Sequence, residues 1–88
     1  MKIRDGFILR DVGGKTYVVA TGELSREFNG MITLNETGKF IWQQLQNDVT
    51  SEVIVDEMAK VYEDADRKVI EQDVLDFIAK LEKDKVLE

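Results

Sequence analysis

The hydrophobic period of this chain changes once, at Asn35, and that change restricts it to a short sheet followed by helices. Before Asn35 the pattern is extended. Phe7-Ile8-Leu9-Arg10-Asp11-Val12 is apolar and β-branched, Gly13-Gly14 supplies the positive-φ geometry of a tight turn, and Thr16-Tyr17-Val18-Val19-Ala20 resumes the run, which predicts a β-hairpin. Met31-Ile32-Thr33-Leu34, with β-branched Ile32 and Thr33 after Gly30, predicts a third strand. Thr21 to Asn29 is polar apart from Leu24 and Phe28 and reads as a loop.

After Asn35 the period is about 3.6 residues. Asn35 suits an N-cap and Glu36 the positive end of a helix dipole, so Phe40, Ile41 and Leu45, with Trp42 beside them, define a first helix over Glu36 to Gln46. Asn47-Asp48-Val49 is a turn, and Thr50 or Ser51 caps a second helix carrying Val53, Ile54, Met58, Val61 and Tyr62. Glu63 to Asp66 breaks it. Asp66 caps a third helix running to about Lys83, with Val69, Ile70, Val74, Leu75, Phe77, Ile78 and Leu81 as a broad apolar surface, and Val86 and Leu87 anchor the tail.

The order β-β-β-α-α-α over residues 1–88 predicts one α+β domain, a winged-helix-like, three-stranded antiparallel sheet followed by three helices. With 88 residues, 43% of them hydrophobic, the chain supports one small core. It contains no cysteine and no histidine, which removes thiol nucleophiles, imidazole acid–base chemistry and the usual zinc, iron–sulfur and haem ligands. No catalytic residue, metal site or cofactor is therefore expected. No apolar run reaches signal-peptide or membrane-spanning length, so no membrane partner and a cytoplasmic location are expected. Residues 1–34 carry five basic and four acidic groups, which leaves seven basic and fourteen acidic for the rest of a chain of net charge -6. Such a chain repels phosphate.

The join Met31-Ile32-Thr33-Leu34-Asn35-Glu36-Thr37-Gly38-Lys39-Phe40-Ile41-Trp42 resembles the Leu-Asn-x-x-Gly-x-x-Ile-Trp core of the PqqD family, the pyrroloquinoline quinone biosynthesis protein D type of peptide chaperone. Thr50-Ser51-Glu52-Val53-Ile54 resembles the start of that family's second helix, and Asp73 to Leu81 its third. The chain departs in having no proline near the first strand and in its Gly22 to Asn29 loop. The resemblance implies a non-enzymatic recognition element for ribosomally made, later modified peptides. The leader of a precursor peptide would add as a strand beside Met31, Ile32, Thr33 and Leu34 and lie against the third helix, for delivery to a modifying enzyme such as a radical S-adenosylmethionine (SAM) maturase. Some relatives serve lasso-peptide or cyclodehydratase pathways instead.

On the third helix, Val69, Phe77 and Leu81 form the margin expected to receive apolar side chains, and Gln72, Asp73, Asp76 and Lys80 the polar rim. Alternation puts Ile32 and Leu34 in the core and turns Met31 and Thr33 away from it. Trp42 reads as core, and Gly38, which costs up to about 1 kcal/mol inside a helix, as a point of close packing. Gly13-Gly14 and Gly30 match no phosphate-binding fingerprint, and Asp64-Ala65-Asp66 lacks the later ligands of a calcium loop. The rival function is a winged-helix DNA-binding regulator reading the groove with the third helix. Residues 67–81 hold three basic and three acidic groups, a poor balance for entering DNA, so no nucleic-acid partner is expected. An assembly subunit is the bland alternative, and failure to bind any precursor peptide would distinguish it.

Overall fold

The computed structural model describes residues 1–28 and 30–88. Three strands, β1 (Phe7–Val12), β2 (Lys15–Ala20) and β3 (Met31–Leu34), form an antiparallel sheet in the order β1-β2-β3. The Gly13-Gly14 turn joins β1 to β2 with both residues at positive φ, 58° and 79°, as a two-residue hairpin of matching twist requires. Four helices complete the chain: α1 (Leu24–Glu27), α2 (Glu36–Gln44), α3 (Ser51–Val61) and α4 (Arg67–Lys83).

The first of these corrects the loop expected over Thr21 to Asn29. A four-residue helical turn lies within it, its Leu24 buried and the Phe28 N–H bonded to the Leu24 carbonyl at 2.8 Å. Asn29 itself lies outside the described residues. The first predicted helix, now α2, ends at Gln44 rather than Gln46, with Leu45 as its C-cap.

The remaining helix ends follow their predicted caps. The Asn35 side chain accepts from the Gly38 N–H at 2.8 Å, the Thr50 hydroxyl from the Val53 N–H at 3.3 Å, and the Asp66 carboxylate from the Lys68 N–H at 2.9 Å. The C-terminus of α4 closes differently. Lys85 adopts φ 60°, its N–H bonds the Glu82 carbonyl, and the Val86 N–H reaches back to the Leu81 carbonyl at 2.9 Å, a Schellman closure. That reversal puts Val86 fully into the core and lets Leu87 pair with Ile3.

The helices cover one face of the sheet. Val18, Ile32 and Leu34 from the strands meet Ile41, Trp42 and Leu45 of the α2 segment, Ile54 and Met58 of α3, and Ile70, Val74, Ile78 and Leu81 of α4. Trp42 is 2% exposed, and Phe7 meets its ring edge-on at 5.8 Å. No polar or charged residue is buried among those described.

Candidate functional site

Strand β3 ends the sheet, so one set of its backbone groups has no strand to bond. Which set follows from the register. Gly6 lies opposite Thr21, one step beyond the Phe7↔Ala20 pair, and the Thr21 N–H bonds the Gly6 carbonyl at 2.7 Å. Bonded pairs alternate along an antiparallel ladder, so Ile8–Val19, Arg10–Tyr17 and Val12–Lys15 are bonded across β1 and β2, the last closing the glycine turn. Thr16 and Val18 therefore direct their N–H and C=O groups toward β3, where they face Leu34 and Ile32. Ile32 and Leu34 bond the sheet, and Met31 and Thr33 present theirs to the open edge. Among the described residues, no hydrogen bond from outside the sheet reaches Met31 or Thr33.

Helix α4 runs beside this edge and makes it the side of a groove. One concavity of about 670 Å³ is lined by Ile32, Thr33 and Leu34 on the strand side and by Phe77, Lys80 and Leu81 on the helix side. A second, about 730 Å³, continues past Met31, Ile32 and Thr33 toward Lys80 and Asp84, with Phe28 at its end. Ile32, Thr33 and Lys80 line both. Beyond Phe77, a smaller hollow takes in Asp73 and Asp76 beside Asn35 and Gly38.

Gly38 fixes how closely helix and strand end approach. A Cβ there would lie 3.4 Å from the Phe77 ring and 3.0 Å from the capping oxygen of Asn35, so the close packing expected from sequence is between α2 and α4 at the groove wall. Lys39 also lines the first concavity, but its ammonium is held by Asp11 at 3.3 Å. The Thr16 hydroxyl first, and Lys39 second, keep the Asp11 carboxyl below the ordinary carboxylate range. Lys80 is different: among the described residues no carboxylate lies within 4 Å of it, leaving a free cation midway along the groove.

The structure thus brings together Met31, Ile32, Thr33, Leu34, Phe77 and Lys80, with Asp73 and Asp76 at one end of the groove. Ile32 and Leu34 contribute from the core side, 8% and 6% exposed. Two predicted residues fall outside. Val69 and Gln72 line none of these concavities: Gln72 is turned to the far side of the helix from Phe77, and Val69 lies on the same ridge but about 12 Å nearer the N-terminus of α4; Val69 stands in solvent and the Gln72 amide donates to Asp76 at 2.8 Å. Leu81, expected at an exposed margin, is instead fully buried and floors the groove. Sequence reasoning missed Phe28 and Asp84; a helix-period stripe could have suggested Asp84, which follows Phe77 and Lys80 along α4.

No group of side chains suited to holding a metal ion occurs among the described residues, and no helix among them is long and apolar enough to cross a membrane.

Comparison with known proteins agrees with this architecture. The model of the family described as coenzyme PQQ synthesis protein D (PqqD) matches residues 8–87. A solved structure described as TbiB1 in complex with the TbiA(beta) leader peptide is similar over 100% of this chain and 95% of that chain, with a TM-score of 0.77 and 26% sequence identity. No curated protein matches.

Proposed function

This chain belongs to the PqqD family, and from that premise we propose that it binds the leader segment of a ribosomally made precursor peptide by strand addition beside β3 and holds it for a modifying enzyme. The observation that carries the reading is the open backbone edge of Met31 and Thr33 set in a groove walled by α4. An extended peptide there gains main-chain hydrogen bonds from the edge, while alternate side chains enter the space against Phe77 and Leu81. The similarity to TbiB1, solved in complex with a leader peptide, supports a leader peptide as the occupant.

In this reading the chain acts as one recognition unit over residues 1–88, in the cytoplasm, and the chemistry belongs to its partner, a radical SAM maturase being the first candidate. The chain itself contributes affinity and orientation and uses no metal or cofactor. Calorimetry with a synthetic precursor leader peptide, in the presence of a chelator, tests it. Binding at roughly micromolar to tens of nanomolar, about -8 to -10 kcal/mol, is expected. A requirement for metal, or no heat and no spectral change, would overturn it.

The groove's charges should tune that affinity without supporting the fold. Lys80→Glu and Asp73→Lys, made separately, are expected to change leader affinity by about three- to tenfold and to move the melting temperature by no more than about 2 °C, since exposed charges contribute little to folding. Anisotropy titrations and thermal melts read the two effects separately. Unchanged affinity in both variants would move the site off this helix.

A further inference from the structure

Among the described residues, α2, α3 and α4 leave the opposite face of the sheet open, and only the short α1 touches its end, where Leu24 packs beside Gly6. Register places Ile8, Val19 and Met31 in one cross-strand row on it, and Arg10, Tyr17 and Thr33 in the next. None of these six belongs to the core or packs against it, and Met31 is 65% exposed. Ile8 and Val19 are half-buried by their strand neighbours, while Met31 and, one row beyond Arg10, Val12 at 62% are exposed, and such an apolar patch on a small domain is an interaction surface more often than an accident. Its charge is also of one sign. Arg10 and the neighbouring Lys15, which also borders the groove beside Thr16, are its cations, none of its strand positions is a carboxylate, and among the described residues neither cation has an acidic partner within 4 Å. In a chain of net charge -6, this face is the basic exception.

We infer that this outer face docks the modifying enzyme, through an apolar patch on the enzyme rimmed by acidic residues. The inference rests on the leader-binding reading, and continuity between the two surfaces carries it. Met31 and Thr33 offer their backbones to the open edge and their side chains to the outer face. A leader strand added at that edge therefore widens the face by one strand and displays every second leader side chain on it. An enzyme seated there touches the recognition domain and the leader together, and so favours the loaded complex over the empty one. A second copy of this chain fits less well, because two such faces together would place four cations in one interface with no carboxylate of either face to meet them.

Ile8→Glu tests this on β1, two strands from the leader edge, and Arg10→Glu repeats the test at an exposed position where the fold is not at risk. Each variant is measured for leader affinity by calorimetry, for self-association by sedimentation, and for modification of the whole precursor by the enzyme encoded beside it. Leader affinity within about twofold of the unaltered chain, with modification reduced about tenfold or more in both variants, is the expected result. Undiminished modification in both, with leader binding intact, overturns the docking surface alone. A chain that is dimeric through this face and becomes monomeric in Ile8→Glu assigns it to a second copy and also overturns the inference. Failure of the unaltered chain to bind the leader removes the leader reading and this inference together.

Discussion

Proline at Thr33 is expected to leave a folded protein that has lost most of its leader affinity, whereas proline one residue earlier, at Ile32, is expected to destroy the fold. The two positions differ in where their N–H groups point. The Ile32 N–H faces Val18 within the sheet, and the Ile32 side chain is 8% exposed, so Ile32→Pro removes a ladder bond and a buried side chain together. A loss of about 3 kcal/mol or more follows, and at about 4–8 °C per kcal/mol for a domain of this size the melting temperature should fall by at least about 12 °C. The Thr33 N–H faces the open edge, so Thr33→Pro takes nothing from the sheet, and the extended conformation proline imposes on Ile32 is the one that residue already has. Its melting temperature should stay within a few degrees. The leader, by contrast, loses a main-chain partner and meets a pyrrolidine ring at the centre of its track, for a loss of about tenfold or more in affinity. Thermal melts and calorimetry on both variants check this. The reverse assignment would mean that the ladder is shifted by one residue, and two folded variants with full affinity would rule out strand addition at β3.

Trp42→Ala should be the most damaging single truncation in the core. The side chain is 2% exposed and Phe7 meets its ring edge-on at 5.8 Å, so the indole ties α2 to β1, and Phe7 in turn meets Phe28, the residue after α1, edge-on at 5.2 Å. Truncating a large buried aromatic costs about 3–5 kcal/mol, a large share of the roughly 5–15 kcal/mol that holds a domain of this kind together. Chemical denaturation should show the midpoint falling accordingly. Val69→Ser, on an exposed valine of α4, serves as the control and should change stability by no more than about 0.5 kcal/mol. Equal stability of the two variants would mean that the Phe7–Trp42–Phe28 cluster does not hold the sheet to the helices.

The strands and the long helix were readable because their signals are local. A glycine pair between two β-branched runs specifies a hairpin, and a capping Asp66 followed by apolar residues at helical spacing specifies α4. Helix α1 had no such signal: four residues with Leu24 as the lone apolar position show no period, and no side chain caps its N-terminus. The groove was half readable for a related reason. Periodicity states which residues of α4 share a stripe, but the neighbour facing that stripe is a tertiary fact, and so Phe77 and Lys80 came together with β3 while Val69 and Gln72 did not. The direction of the Met31 and Thr33 backbones depended on pairing as well, since it is fixed two strands away by the Thr21 bond to Gly6.

The absence of buried polar groups among the described residues has a consequence for control. Every titratable side chain there sits at or near the surface, and the chain has no histidine, so acidification from about pH 8 to pH 5 protonates no group on which the core depends. The carboxyls of Asp11, held down by Thr16 and then Lys39, and of Asp48, held down by the terminal ammonium, contribute stability above their unfolded pKa and lose it only as pH falls through their lowered values. Both are exposed and their contributions small. The frame of sheet and helices is thus expected to keep its shape across that range, so that any pH dependence of binding would belong to the charges of the groove and of its occupant.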